Sequence, residues 1–276
     1  MEYLKFTFSV NPTEPGNEVL IAQLGEVGFE SFVENENGFE AFIPKSQCIE
    51  QFIPKEDSFE GISFSYVQEL IPSANWNEEW EKNFSPVYVE DKLCIRAPFH
   101  LAPYNGILDI VIMPKMSFGT GHHDTTWMMS KRIFDAELKE KSFLDMGCGT
   151  GVLAILAYKL GAIDIHAIDI DEWSITNTIE NCEVNQCTEI NIEKGDVGNL
   201  EKNKFDFIAA NINRNVLMKD IPVYAAALKS KGRLLMSGFF ETDFEKLIEQ
   251  SNKSDLQLVS SDSRNGWGLL ELEKKI

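Results

Sequence analysis

The chain has 276 residues, 43% of them hydrophobic and 25% charged, enough to bury a large core and beyond the usual size of one domain. Its 44 acidic residues outnumber 25 basic ones, leaving a formal charge of -19, and such a surface repels a phosphate backbone. Naked nucleic acid is therefore disfavoured as the main partner and a basic, lysine-rich protein fits better, the plainer reading being that the acidity serves solubility.

The opening MEYLKFTFSV lacks a basic segment followed by an apolar one, and no apolar run approaches the roughly 20 residues that span a bilayer. Cys48, Cys94, Cys148, Cys182 and Cys187 are odd in number and lack CxxC spacing, which argues against a disulfide framework or a zinc site. We expect a cytoplasmic, monomeric protein that binds no metal and meets no membrane.

In chain order, Leu4, Phe6, Phe8 and Val10 alternate with polar residues, the period of a half-buried strand. A helix follows Thr13 and Pro15, with Val19, Leu20, Leu24 and Val27 on one face and Gly28 as its stop. Phe29 to Val33 and Phe39 to Ile43 flank the turn NENG as a hairpin. A short helix near Gln47 to Phe52 and a strand over Ile62 to Val67 complete βαββαβ, so residues 1–72 are expected to form a small ferredoxin-like α+β domain. In NWNEEWEKNF, Trp76, Trp80 and Phe84 share one helical face, which predicts a linker helix over 73–85 packed on a domain.

From Pro86, apolar strands alternate with helices, and residues 86–276 are expected to form an α/β domain of Rossmann-like plan. Strands are predicted at Ile107 to Met113, Ser142 to Met146, Asp164 to Ile170, Ile190 to Glu193, Phe205 to Ala210, Arg233 to Ser237, Leu256 to Ser260 and Gly268 to Leu272. The last two have no helix between them and read as an antiparallel hairpin at the sheet edge.

The chemistry centres on SFLDMGCGTGVLAILAYKLGA. A strand runs into Gly147, Gly149 and Gly151 and then into a helix, an arrangement that brings backbone and a helix N-terminus to a ligand. The dinucleotide pattern is GxGxxG, whereas Val152 stands where its third glycine would fall, which favours S-adenosylmethionine over NAD. Asp169 ends the next strand, where a carboxylate can accept two ribose hydroxyls, while Asp171 is the better helix cap. Asp196 in KGDV is placed either at an adenine amine or in a plain turn. Asn211 and Asn213 end the fourth strand, at the edge where open α/β sheets bind ligands. His122 and His123 read first as structural loop residues, with proton removal or loop closure as the other role, and His166 reads as core; no catalytic base is assigned.

FGTGHHDTT (118–126), LDMGCGTG, AIDID and ANINRN, with the NWNEEWEKNF linker, together resemble the ribosomal protein L11 methyltransferase family, class I S-adenosylmethionine-dependent enzymes. The resemblance covers essentially the whole chain. It implies that Thr126, Gly147, Asp169 and Asn211 contact S-adenosylmethionine, with Phe118 to His123 closing over it. It also implies that the leading domain recognises ribosomal protein L11, and that lysine side-chain amines and an N-terminal amine are methylated. The competing readings are a class I methyltransferase with another protein or small-molecule acceptor, and a non-catalytic S-adenosylmethionine-binding protein.

Overall fold

The computed structural model describes residues 2–48, 59–71, 83–115 and 117–276, which fall into two compact units, residues 1–83 and 84–276. In the first, β1 (Tyr3–Asn11) leads into α1 (Thr13–Glu26), then β2 (Ser31–Asn35), β3 (Gly38–Pro44) and β4 (Ser63–Ile71). Every neighbouring pair in the order β2-β3-β1-β4 is antiparallel.

The alternation in β1 does what its period predicts. Leu4, Phe6, Phe8 and Val10 are buried with Leu20 and Leu24 of α1, and the Phe8 and Phe39 rings stack at 4.8 Å. The helix stops at Gly28, whose φ of +101° suits glycine, and the Phe29 N–H returns to the Leu24 carbonyl at 3.1 Å. Of the helix expected at Gln47 to Phe52, only Gln47 and Cys48 are described, in and after a turn; the linker helix, with Trp76 and Trp80, lies outside the described residues except for 83–85.

The second unit opens with a feature the sequence reading lacked. β5 (Val87–Val89) and β6 (Leu93–Arg96) join β7 (Leu108–Val111) in a separate three-stranded sheet, so the strand expected at Ile107 to Met113 does not enter the main one. Strands of three and four residues carry too few alternations to be read as a period.

The main sheet has seven strands. These are β8 (Ser142–Met146), β9 (Ile163–Asp169), β10 (Asn191–Lys194), β11 (Phe205–Asn211), β12 (Leu228–Phe240), β13 (Leu256–Arg264) and β14 (Trp267–Lys274), in the order β10-β9-β8-β11-β12-β14-β13. Strands β10 to β12 in that order run parallel; β14 is antiparallel to both neighbours, so the terminal hairpin is inserted at the edge.

All five residues of β8 are buried, as a strand covered on both faces requires. On one face, Phe143 and Phe207 pack with α2 (Asp124–Phe134), α3 (Val152–Lys159) and α4 (Glu172–Val184). On the other, Leu144, Met146 and Ile208 pack with α5 (Arg214–Ala227) and α6 (Phe244–Asn252). The chain leaves β8 toward β9 on one side while β11 lies on the other, so the order reverses at the β8/β11 boundary. That topological switch opens a crevice at the strand carboxyl ends.

Candidate cofactor site at the strand carboxyl ends

A cavity of about 300 Å³ sits in that crevice, within the range of small-molecule sites. Gly147, Asp169 and Asn211 border it, with apolar walls from Met146, Ile170, Ile212 and Val216. Thr126 stands behind Asn211 in a narrower recess shared with Phe118, Asp145 and Gly147. Chain segments some 85 residues apart thus meet: the Asn211 amide donates to the Thr126 hydroxyl at 3.4 Å, and Thr126 is buried.

The glycines are required, but for a reason other than ligand approach alone. Gly147, Gly149 and Gly151 all have φ between +57° and +77°, where a side chain is strained. A Cβ on Gly149 would lie 2.3 Å from the Phe118 carbonyl oxygen, and one on Gly147 would lie 2.3 Å from Ile212 Cγ2. The FGTGHH loop lies backbone to backbone on the glycine loop: the Thr150 N–H donates to Phe118 O at 3.0 Å and the Thr150 hydroxyl to Gly119 O at 2.7 Å.

Several backbone donors expected to face a ligand already have protein acceptors. Gly149 N–H donates to Asp169 Oδ2 at 3.0 Å, and Ala154 N–H to Asp145 Oδ2 at 3.1 Å. Asp169 also accepts from Asp171 N–H at 3.0 Å through its other oxygen, so it fixes the loop while keeping lone pairs for two further donors. Asp171 is the cap of α4, accepting from the Trp173 and Ser174 N–H groups, as the sequence reading expects.

The other polar candidates divide between capping and the cavity. Asn213 caps α5 through Val216 N–H at 3.2 Å, so its task is a helix start, although it also borders the cavity. Asp196 likewise does both: it caps a short 3-10 turn at Val197–Asn199 and lines the cavity. Among the described residues the buried Oδ1 of Asn211 has no partner, a cost that a ligand donor would remove.

The histidines are occupied. His123 caps α2 by accepting from Thr125 N–H at 3.3 Å, and its ring packs edge-on to Trp267. His122 bonds to the Ser85 carbonyl at 2.9 Å and the Thr120 hydroxyl at 3.1 Å. His166, in β9, lies between Asp164 and Glu193 with its side chain 12% exposed.

Asp145 was not singled out from the sequence, although a carboxylate in the apolar run SFLDM is a signal in itself. Burial pushes its carboxyl up to about 7; the Ala154 N–H opposes this and the Asp169 charge adds to it. Beside it, burial also raises the Cys148 thiol, which argues against a reactive thiolate in the glycine loop.

S-adenosylmethionine fits these residues. A carboxylate with free lone pairs, an orphaned amide oxygen and a slot with apolar walls match a ribose, a hydrogen-bond donor and a flat base respectively.

The chain is similar to known proteins along most of its length. A family model described as ribosomal protein L11 methyltransferase (PrmA) matches residues 17–275. The ribosomal protein L11 methyltransferase of Porphyromonas gingivalis is 43% identical over 281 residues, covering 98% of this chain and 97% of that protein. That of Bacteroides thetaiotaomicron is 44% identical over 277 residues, covering 98% and 99%. The crystal structure of a ribosomal protein L11 methylase from Lactobacillus delbrueckii subsp. bulgaricus superposes with a TM-score of 0.65 at 27% identity, over 70% of this chain and 100% of that one.

Proposed function

Because the chain belongs to the ribosomal protein L11 methyltransferase family, we propose that it methylates amines of ribosomal protein L11 at the crevice between β8 and β11. It is an S-adenosylmethionine-dependent class I methyltransferase, and the cofactor supplies a methyl group on a positively charged sulfur. The observation that carries the site assignment is the convergence of Gly147, Asp169 and Asn211 on one cavity at the switch point.

Each residue has a task its chemistry suits. Asp169 accepts the ribose hydroxyls, and its hold on Gly149 ties that contact to the shape of the loop. Asn211 offers its unpartnered Oδ1 to a donor on the amino-acid portion, steadied from behind by Thr126. Gly147 keeps the β8 end low enough for a ligand to lie across it, and Phe118 covers the opening.

Transfer to an amine creates no new anion, so these residues act by position: holding reacting atoms in line is worth roughly 7 to 11 kcal/mol. A free lysine titrates near about 10.4, and desolvation beside a positive charge lowers that value. No side chain is assigned as the base, since His122 and His123 are committed to the Ser85 carbonyl and the α2 cap.

The acceptors are lysine side-chain amines and the N-terminal amine, and residues 1–72 supply the docking surface for L11. The charge of -19 supports that pairing by drawing in a basic protein and repelling bare nucleic acid. We take it to act as a monomeric enzyme in the cytoplasm; no described helix is long and apolar enough to cross a membrane.

The test is incubation of the full chain with methyl-labelled cofactor and purified L11. Label should enter L11 and fall sharply in Asp169→Ala at low cofactor concentration. Cofactor binding without transfer to L11 would contradict the acceptor assignment; in a protein-depleted cell extract, label in small molecules would favour another acceptor.

A further inference from the structure

The cavity has one polar wall that the assignments above do not use. Asp220, in α5, borders it together with Asp196 and is only 5% exposed. Among the described residues it makes no hydrogen bond or ion pair: burial and the charge of Asp196 raise its pKa, and neighbouring Lys219 lowers it without contact. One turn on, the Tyr224 hydroxyl is fully buried, lacks a partner among the described residues and feels the Asp220 charge, yet does not bond to it.

The Asp220 carboxylate borders the cavity with no protein donor of its own among the described residues, and the buried Tyr224 hydroxyl one turn on is costly without a partner. Asp196 brings a second acceptor to the same wall: its Oδ1 takes the Gly198 N–H at 2.8 Å, leaving Oδ2. Two carboxylates that line one cavity and feel each other's charge, with the apolar Ile170 and Val216 also lining it, suit a flat ring that presents two N–H donors from one nitrogen. A ring presenting a carbonyl oxygen there would be repelled by both.

We propose that Asp220, paired with Asp196, reads the exocyclic amine of the cofactor's adenine and so determines base specificity. This rests on the cofactor reading above and adds a residue to it. In this arrangement the ligand completes hydrogen bonding that the protein leaves open. A site built to bond an N–H rejects an analogue lacking it far more strongly than an apolar pocket rejects a methylene.

The test is titration calorimetry on the full chain with S-adenosylhomocysteine and with S-inosylhomocysteine, whose base carries a carbonyl in place of the amine. The unaltered protein should bind the adenine form about a hundredfold tighter or more. Asp220→Asn is nearly isosteric and turns a donor toward the carbonyl, so the preference should shrink by about tenfold or more; Asp220→Leu should shrink it through the adenine arm alone. An unchanged preference in folded variants overturns the proposal, and so does an equal loss for both ligands, which would make Asp220 a supporting residue of α5. If the unaltered protein binds neither ligand, the cofactor reading fails first and the base-reading role goes with it.

Discussion

The two units meet the demand for burial in opposite ways. In β1 of the first unit, alternate residues go inward to α1 while Ser9, and Ser65 and Val67 of β4, stay exposed. In β8 of the second unit, all five residues are buried because helices cover both faces. A sheet covered on one face keeps a side-chain surface for other molecules; a sheet covered on both has only its strand ends left. In the second unit, three positive-φ glycines, the Asp145 carboxyl, the orphaned Asn211 oxygen and Asp220 lie about the cofactor crevice.

If the units divide their labour in this way, damage to one core should spare the other's ligand. Phe8 is 1% exposed and stacked on Phe39, so Phe8→Ala should cost about 3 to 5 kcal/mol in the first unit. Thermal unfolding should show that loss while calorimetry finds the cofactor affinity within about twofold of the original. A parallel drop in cofactor affinity would break the comparison.

A second test uses the buried acid of the second unit. The Asp145 carboxyl rises from 3.8 to about 7 on folding, so the folded chain holds a proton that the unfolded chain releases. Its contribution is complete below about pH 4 and is lost as pH climbs through about 7, a change of about 4 kcal/mol when fully ionised. Denaturant titrations from pH 5 to pH 8 should show the original protein losing roughly 2 to 4 kcal/mol relative to Asp145→Asn. Parallel profiles for the two proteins would remove Asp145 as the buried acid.

A third test separates two carboxylates that stand two positions apart in sequence. Asp169→Ala should weaken cofactor binding by roughly 1.5 to 3 kcal/mol for each charge-assisted bond lost. Asp171→Ala removes only a helix cap, about 1 kcal/mol of stability, and should leave the affinity unchanged. Equal losses of affinity would mean that the strand end acts as one unit.

How far the sequence could be read follows the same division. The strand before Gly147 and the position of Asp169 were legible because strand, turn and helix follow in register, and the period-2 pattern of β1 was legible because its inward residues are all large and apolar. The strands β5 and β6 were too short to show a period, and GCGTG could not reveal that Ile212, Phe118 and Thr178 occupy the space left by Gly147, Gly149 and Gly151. Asp220 was invisible because MKDIPV reads as the charged face of an amphipathic helix; only the fold turns that residue inward. In the first unit no motif marks a docking residue, since recognition spread over a sheet surface needs no fixed spacing.

The most direct test of the central claim is amide hydrogen exchange on the full chain with and without saturating S-adenosylhomocysteine. The account predicts added protection at the carboxyl edge, in 118–126, 147–154, 169–174 and 211–216, with β1 to β4 exchanging as before. Protection that appears in residues 1–72 instead, or that leaves the glycine loop unchanged, would contradict it.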